Sequence, residues 1–145
     1  MAAPEELPTE ERVRELTADP NLTAQDATRH GDLFAQAGKY AIALMFYERS
    51  KDRERLGALK TKAVEMGDAF LLFGITKLAP DLVKAQEWRD AGDRARKAGK
   101  LLFAKDCYEQ AGDPESAQSA REEWLKIFPS PAAPPLKAGG PPAAP

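Results

Sequence analysis

Apolar positions in this chain recur every three to four residues and almost never alternate. Leu56, Leu59, Ala63, Val64 and Met66 fall on one stripe of a 3.6-residue period, which predicts an amphipathic helix. No run alternates β-branched with polar residues, and no Asn-Gly pair separates apolar runs, so no strand is expected. Punctuation divides the rest. Thr9 caps a short helix over 10–16. Thr23, with Asp26 three residues on, opens a helix to about residue 37, and Gly38 suits the left-handed position that closes it. A helix over 39–50 follows, and Asp52 caps the next. Pro80 interrupts the pattern, Asp81 caps a helix to about 98, and Gly99 separates it from one over 100–111. Gly112, Asp113 and Pro114 read as C′ glycine, N-cap and first-turn proline of a last helix over 114–128. The expected fold class is all-α.

The chain also repeats itself. Shifted by 61 residues, GDLFAQAGKYAIALMFYERSKDRE from Gly31 aligns with GDRARKAGKLLFAKDCYEQAGDPE from Gly92, matching at ten of 24 positions without a gap. Chance would give about one or two. The matches include Gly31/Gly92, Gly38/Gly99, Ala43/Ala104 and Tyr47/Tyr108. Glycine inside a helix costs about 1 kcal/mol against alanine, so Gly31 and Gly92 are expected to let a neighbouring helix approach. Gly38 and Gly99 make the turns, the alanines sit where helices cross, and the tyrosines fill space one turn later.

This pattern resembles the tetratricopeptide repeat, a helix–turn–helix unit of 34 residues. Gly31, Phe34, Gly38, Ala43, Tyr47 and Ser50 carry the likeness in a first unit. Gly92, Gly99, Ala104, Tyr108 and Ala111 carry it in a last, with Ala95 where an aromatic belongs. A middle unit matches in Gly67, Phe70 and Gly74. The resemblance spans 24–128 and implies a short right-handed α-α superhelix with a capping helix at its C-terminal side. Domain limits follow: an N-terminal arm over 1–22, partly disordered, a repeat domain over 23–128, and a disordered Pro/Ala-rich tail over 129–145. Gly-Asp followed by five residues and another glycine occurs three times, from Gly31, Gly67 and Gly92, at spacings of 36 and then 25 residues, which leaves little room after the middle turn. A break near Gly74 with a truncated second helix is expected, and one long helix over 52–79 is the alternative.

Composition narrows the function. The chain has 145 residues, 43% hydrophobic and 30% charged, and a net charge of −2 from 21 basic and 23 acidic side chains. So balanced a total gives no general attraction to nucleic acid or an anionic membrane. The longest apolar runs, AIALMF and AFLLF, are too short to span a bilayer. The start carries acidic residues where a secretory signal is basic, and Cys107 is the only cysteine, so the cytoplasm is the expected compartment. His30 is the only histidine and is expected to pack. One histidine and one cysteine make no zinc site, no phosphate loop is present, and neither an enzyme nor a cofactor is expected.

Stacked helical pairs present a concave face lined by the first helix of each pair. The resemblance places ligand contacts there, at Thr28, Asp32 and Gln36 in the first unit, Val64, Asp68, Leu71 and Leu72 in the middle, and Arg89, Arg96 and Lys97 in the last. Polar, apolar and basic thirds fit a partner peptide or helix with an apolar anchor and an acidic flank. The clamp by which some family members hold chaperone C-termini needs lysine and asparagine where Thr28 and Asp32 stand, so that ligand is not expected. The resulting expectation is a non-enzymatic adaptor, scaffold or assembly factor. One alternative is binding of single-stranded nucleic acid through Arg94, Arg96, Lys97, Lys100 and Lys105. Interleaved Asp90, Asp93 and Asp106 and the lack of an aromatic platform argue against it. Self-association as a homodimer is a third reading, with Trp124, Leu125 and Phe128 of the last helix expected to face back onto the stack.

Overall fold

The computed structural model describes residues 5–129, and the expectation of a disordered tail lies outside them beyond Pro129. Eight helices and no strand occur among these residues: α1 (Glu10–Ala18), α2 (Ala24–Gln36), α3 (Tyr40–Ser50), α4 (Arg53–Met66), α5 (Ala69–Leu78), α6 (Ala85–Lys97), α7 (Leu101–Gln110) and α8 (Pro114–Ile127). The protein is all-α. None of these helices is long and apolar enough to cross a membrane.

Local chemistry sets most boundaries. Thr9, Thr23, Asp52, Asp68 and Asp113 each accept a hydrogen bond from the backbone N–H three residues on, satisfying a donor the first helical turn cannot pair internally. Four helices end alike. Gly38, Gly67, Gly99 and Gly112 adopt φ of +75°, +61°, +78° and +73°. In each case the following residue donates its N–H back to the carbonyl five residues earlier, as Lys39 does to Phe34 and Asp68 to Ala63, both at 2.9 Å. This is the Schellman closure, and glycine adopts it without a Cβ penalty.

Gly67 therefore belongs with the turn glycines and not with Gly31 and Gly92. This corrects both expectations for the middle segment. The break falls between α4 and α5 at Gly67, so there is neither a truncated helix after Gly74 nor one long helix over 52–79. A second correction concerns Asp81. It caps nothing and instead binds Arg53 at 2.6 Å. Helix α6 starts at Ala85, where the Glu87 carboxylate accepts the Lys84 N–H at 3.0 Å.

The helices pack as three hairpins, α2/α3, α4/α5 and α6/α7, with α8 against α7. Second helices follow one another, α3 on α5 and α5 on α7, and α4 lies closely on α6. Helices α2 and α4 do not approach as closely. On the α3/α5 side Leu44 reaches into the space that a Cβ at Gly74 would fill, 2.6 Å from its Cδ2. The two repeated segments are both helical hairpins, with Ala43 and Ala104 wholly buried at their crossings. Phe34, Phe46, Leu56, Leu59, Leu71, Leu72, Ile75, Trp88 and Cys107 make one continuous core. Val13 and Leu16 of α1 join it, so this part of the N-terminal arm is ordered against the first hairpin. Helix α8 faces inward with Ala117 and Ala120. Trp124 and Leu125 are only partly covered and Phe128 is 57% exposed, contrary to the expected back-facing trio. Small residues let α8 sit close, and the large ones are left at its far end.

Candidate functional site

Helices α2 and α6 carry a repeated device in which a Gly-Asp dipeptide engages a tyrosine of the following helix. A Cβ at Gly92 would lie 2.8 Å from Tyr108 Cε1, and one at Gly31 would lie closer still to Tyr47. The missing side chain thus lets a buried phenol ring lie flat against the helix. The next residue receives its hydroxyl: Tyr47 Oη donates to Asp32 Oδ1 at 2.7 Å, and Tyr108 Oη to Asp93 Oδ1 at 2.6 Å. Burial raises both phenols, Tyr108 to about 12, and acceptance by the aspartates adds to the rise, so both stay protonated donors.

Asp32 ties the first hairpin to the second. Arg55, on the first turn of α4, donates to it from Nε and Nη2 at 3.3 and 3.2 Å. Burial pushes the Asp32 carboxyl up, but the hydrogen bonds from Arg55 and Tyr47 and the Arg55 charge outweigh it, and the group titrates below the usual carboxylate range. A carboxylate depressed in the folded state contributes stability that is complete above its unfolded pKa, near 4. That contribution disappears as pH falls through the folded value. Asp32→Asn is expected to lower the urea midpoint at pH 7 and to flatten the loss of stability below about pH 4 relative to the parent. Unchanged acid sensitivity would remove Asp32 from this role.

Beside this pair α2 and α4 leave a cleft of about 260 Å³, floored by Tyr40, Tyr47 and Leu59 and edged by Gln36, Arg55 and Lys62. Of the residues expected to contact a partner, Thr28, Asp32 and Gln36 stand on α2, Val64 on α4, and Arg89, Arg96 and Lys97 on α6. None of these seven is buried. The other three do not join them. Asp68 caps α5 by accepting the Leu71 N–H at 3.0 Å. Leu71 and Leu72, at 1% and 0% exposure, are core side chains of α5, so no apolar centre of a groove can be built on them. The slip has one cause, the turn at Gly67, which makes α4 the first helix of the middle pair. Counted back from each turn glycine, Gly57, Thr61 and Glu65 take the places of Thr28, Asp32 and Gln36.

The basic third changes as well. Arg96 binds Glu123 at 2.7 Å and Ser119 at 2.8 Å, fastening α6 to α8, and Arg89 lies 3.8 Å from Asp113. Lys97 lines a separate hollow of about 450 Å³ with Glu65, Arg94 and Lys100. Arg55, Ala58 and Lys62 of the cleft were missed from sequence, although the Asp52 cap already fixed where α4 begins.

His30 stacks near Phe46, with ring centroids 5.3 Å apart, and its Nδ1 is buried without a partner. Burial and the nearby Arg29 lower its pKa, which favours neutral imidazole. The Cys107 thiol is buried and pushed up to about 12, and thus unreactive. Among the described residues no group of three or more His, Cys, Asp or Glu side chains could hold a metal ion. No protein-family model matches the chain, and neither a curated protein nor a solved structure does.

Proposed function

We propose that the chain is a tetratricopeptide-repeat-like interaction module, an adaptor or scaffold without catalytic activity, whose hairpins form a short right-handed superhelix capped by α8. The face made by α2, α4 and α6 holds a peptide or short helix of a cytoplasmic partner protein. The observation that carries this reading is the cleft between α2 and α4. Its floor is aromatic and aliphatic, its rim carries Arg55, shared with Asp32, and the exposed Lys62, which lies 3.5 Å from Glu65, and it offers an apolar side chain somewhere to bury. The ligand is a segment with one apolar anchor and acidic neighbours. Lys97 and Arg94 extend the basic character along α6.

The test is a fluorescence titration with a labelled acidic peptide bearing a single leucine. Ala58→Phe fills the cleft and Lys62→Glu reverses its rim, and each is expected to weaken binding by roughly tenfold or more. Lys105→Glu on α7, away from this face, is expected to leave it unchanged. Equal affinities for all four proteins would overturn the assignment of the cleft. A salt-sensitive shift with single-stranded RNA and none with the peptide would replace the reading with nucleic-acid binding.

A further inference from the structure

Another hollow, remote from the α2/α4 cleft, lies where the start of α7 meets the end of α8. It measures about 350 Å³ and is lined by Lys100, Leu102, Phe103, Trp124 and Phe128. The Trp124 and Phe128 rings stand 5.6 Å apart and inclined by 36°, a tilted aromatic pair that forms one wall. Leu102 is 42% exposed and Phe128 57%. Apolar and aromatic side chains therefore gather at this end of the protein with part of their surface uncovered.

The sequence supplies a matching occupant. Phe128 leaves the helix with φ −122° and ψ 68°, and Pro129 follows directly. Pro131-Ala132-Ala133-Pro134-Pro135-Leu136 comes next, a PxxP pattern followed by an aliphatic residue. Such a sequence favours polyproline II, in which every third residue shares an edge, so Pro131 and Pro134 would sit roughly 9 Å apart on one side. Polyproline II strands in general form no internal hydrogen bonds, so their carbonyls can accept from an indole N–H, and aromatic-lined grooves are the usual receptors for them. Position favours this occupant over any other. The segment is tethered to a wall of the hollow by two residues, and so short a link gives an effective concentration on the order of millimolar, enough to fill a weak site.

We infer that this hollow, walled by Trp124, Phe128 and Leu102, is the docking site of the chain's own proline-rich segment, 131–136. The inference does not depend on the α2/α4 cleft binding anything.

Two-dimensional ¹H–¹⁵N spectra of the full chain test it. In a variant carrying Pro131→Gly, Pro134→Gly, Pro135→Gly and Leu136→Ser, the Trp124 indole N–H and the amides of Lys100, Leu102 and Phe103 are expected to shift. The Trp88 indole, buried in the core, is expected to stay in place. Reciprocally, Leu102→Glu with Phe128→Ser is expected to shift the amides of Ala132, Ala133 and Leu136. All these signals are expected to survive roughly tenfold dilution, because a tethered site does not depend on protein concentration. Absence of shifts on both sides overturns the proposal. Shifts in the parent that vanish on dilution overturn it in favour of the segment of a second copy.

Discussion

Gly67→Ala will be the most damaging single-methyl change in this protein, lowering stability by about 3 kcal/mol or more. Two costs add. A non-glycine residue at φ +61° pays roughly 1–2 kcal/mol for left-handed backbone. The new Cβ would also lie 2.7 Å from Ala95 Cα and 2.8 Å from Ala95 Cβ, and closer still to its nitrogen. These are mostly backbone atoms of α6, so relief requires moving one helix from another. Gly38→Ala and Gly99→Ala are built-in controls. They share the conformation, at φ +75° and +78°, but nothing lies within 4 Å of the added carbon. They should cost about 1 kcal/mol. Urea midpoints of the three variants measure the difference. Equal losses would show that α4 and α6 do not touch at this turn.

Leu72→Ala is the second large effect and separates two pictures of the middle hairpin. A leucine lining a groove would lose partner affinity and little stability. Leu72 is wholly buried on α5, so truncation should leave a cavity and cost about 2–5 kcal/mol. Removing Phe70, which is 71% exposed on the same helix, should cost less than 1 kcal/mol. Thermal or urea unfolding of the two alanine variants decides between them.

Why the sequence misleads at this point is physical. Gly-Asp has two uses here that look identical in one dimension. In Gly67-Asp68 and Gly112-Asp113 the glycine closes a helix and the aspartate caps the next. In Gly31-Asp32 and Gly92-Asp93 both residues lie inside a helix, one under a tyrosine ring and the other accepting its hydroxyl. The distinguishing signal is present but distant: a tyrosine stands sixteen residues after Gly31 and Gly92, whereas Val83 occupies that place after Gly67.

Caps and turn glycines are local, which is why seven of the helix starts and stops around them could be read directly. The Arg55–Asp32 pair and the cleft beside it join segments 23 residues apart. Nothing in either segment alone announces the other. Arg96 shows the same limit from the opposite direction. Its charge was legible, but its engagement with Glu123 and Ser119 on α8 was not, and that engagement makes it a fastener.

The seat that Gly74 provides for Leu44 has an effect beyond its own neighbourhood. It draws the first two hairpins together along one flank while the opposite flank stays parted. A guest wedged into the parted side finds its room already made. None of its affinity is then spent on prying rods apart, and a bulkier residue at 74 would loosen the very hinge that keeps that room in shape.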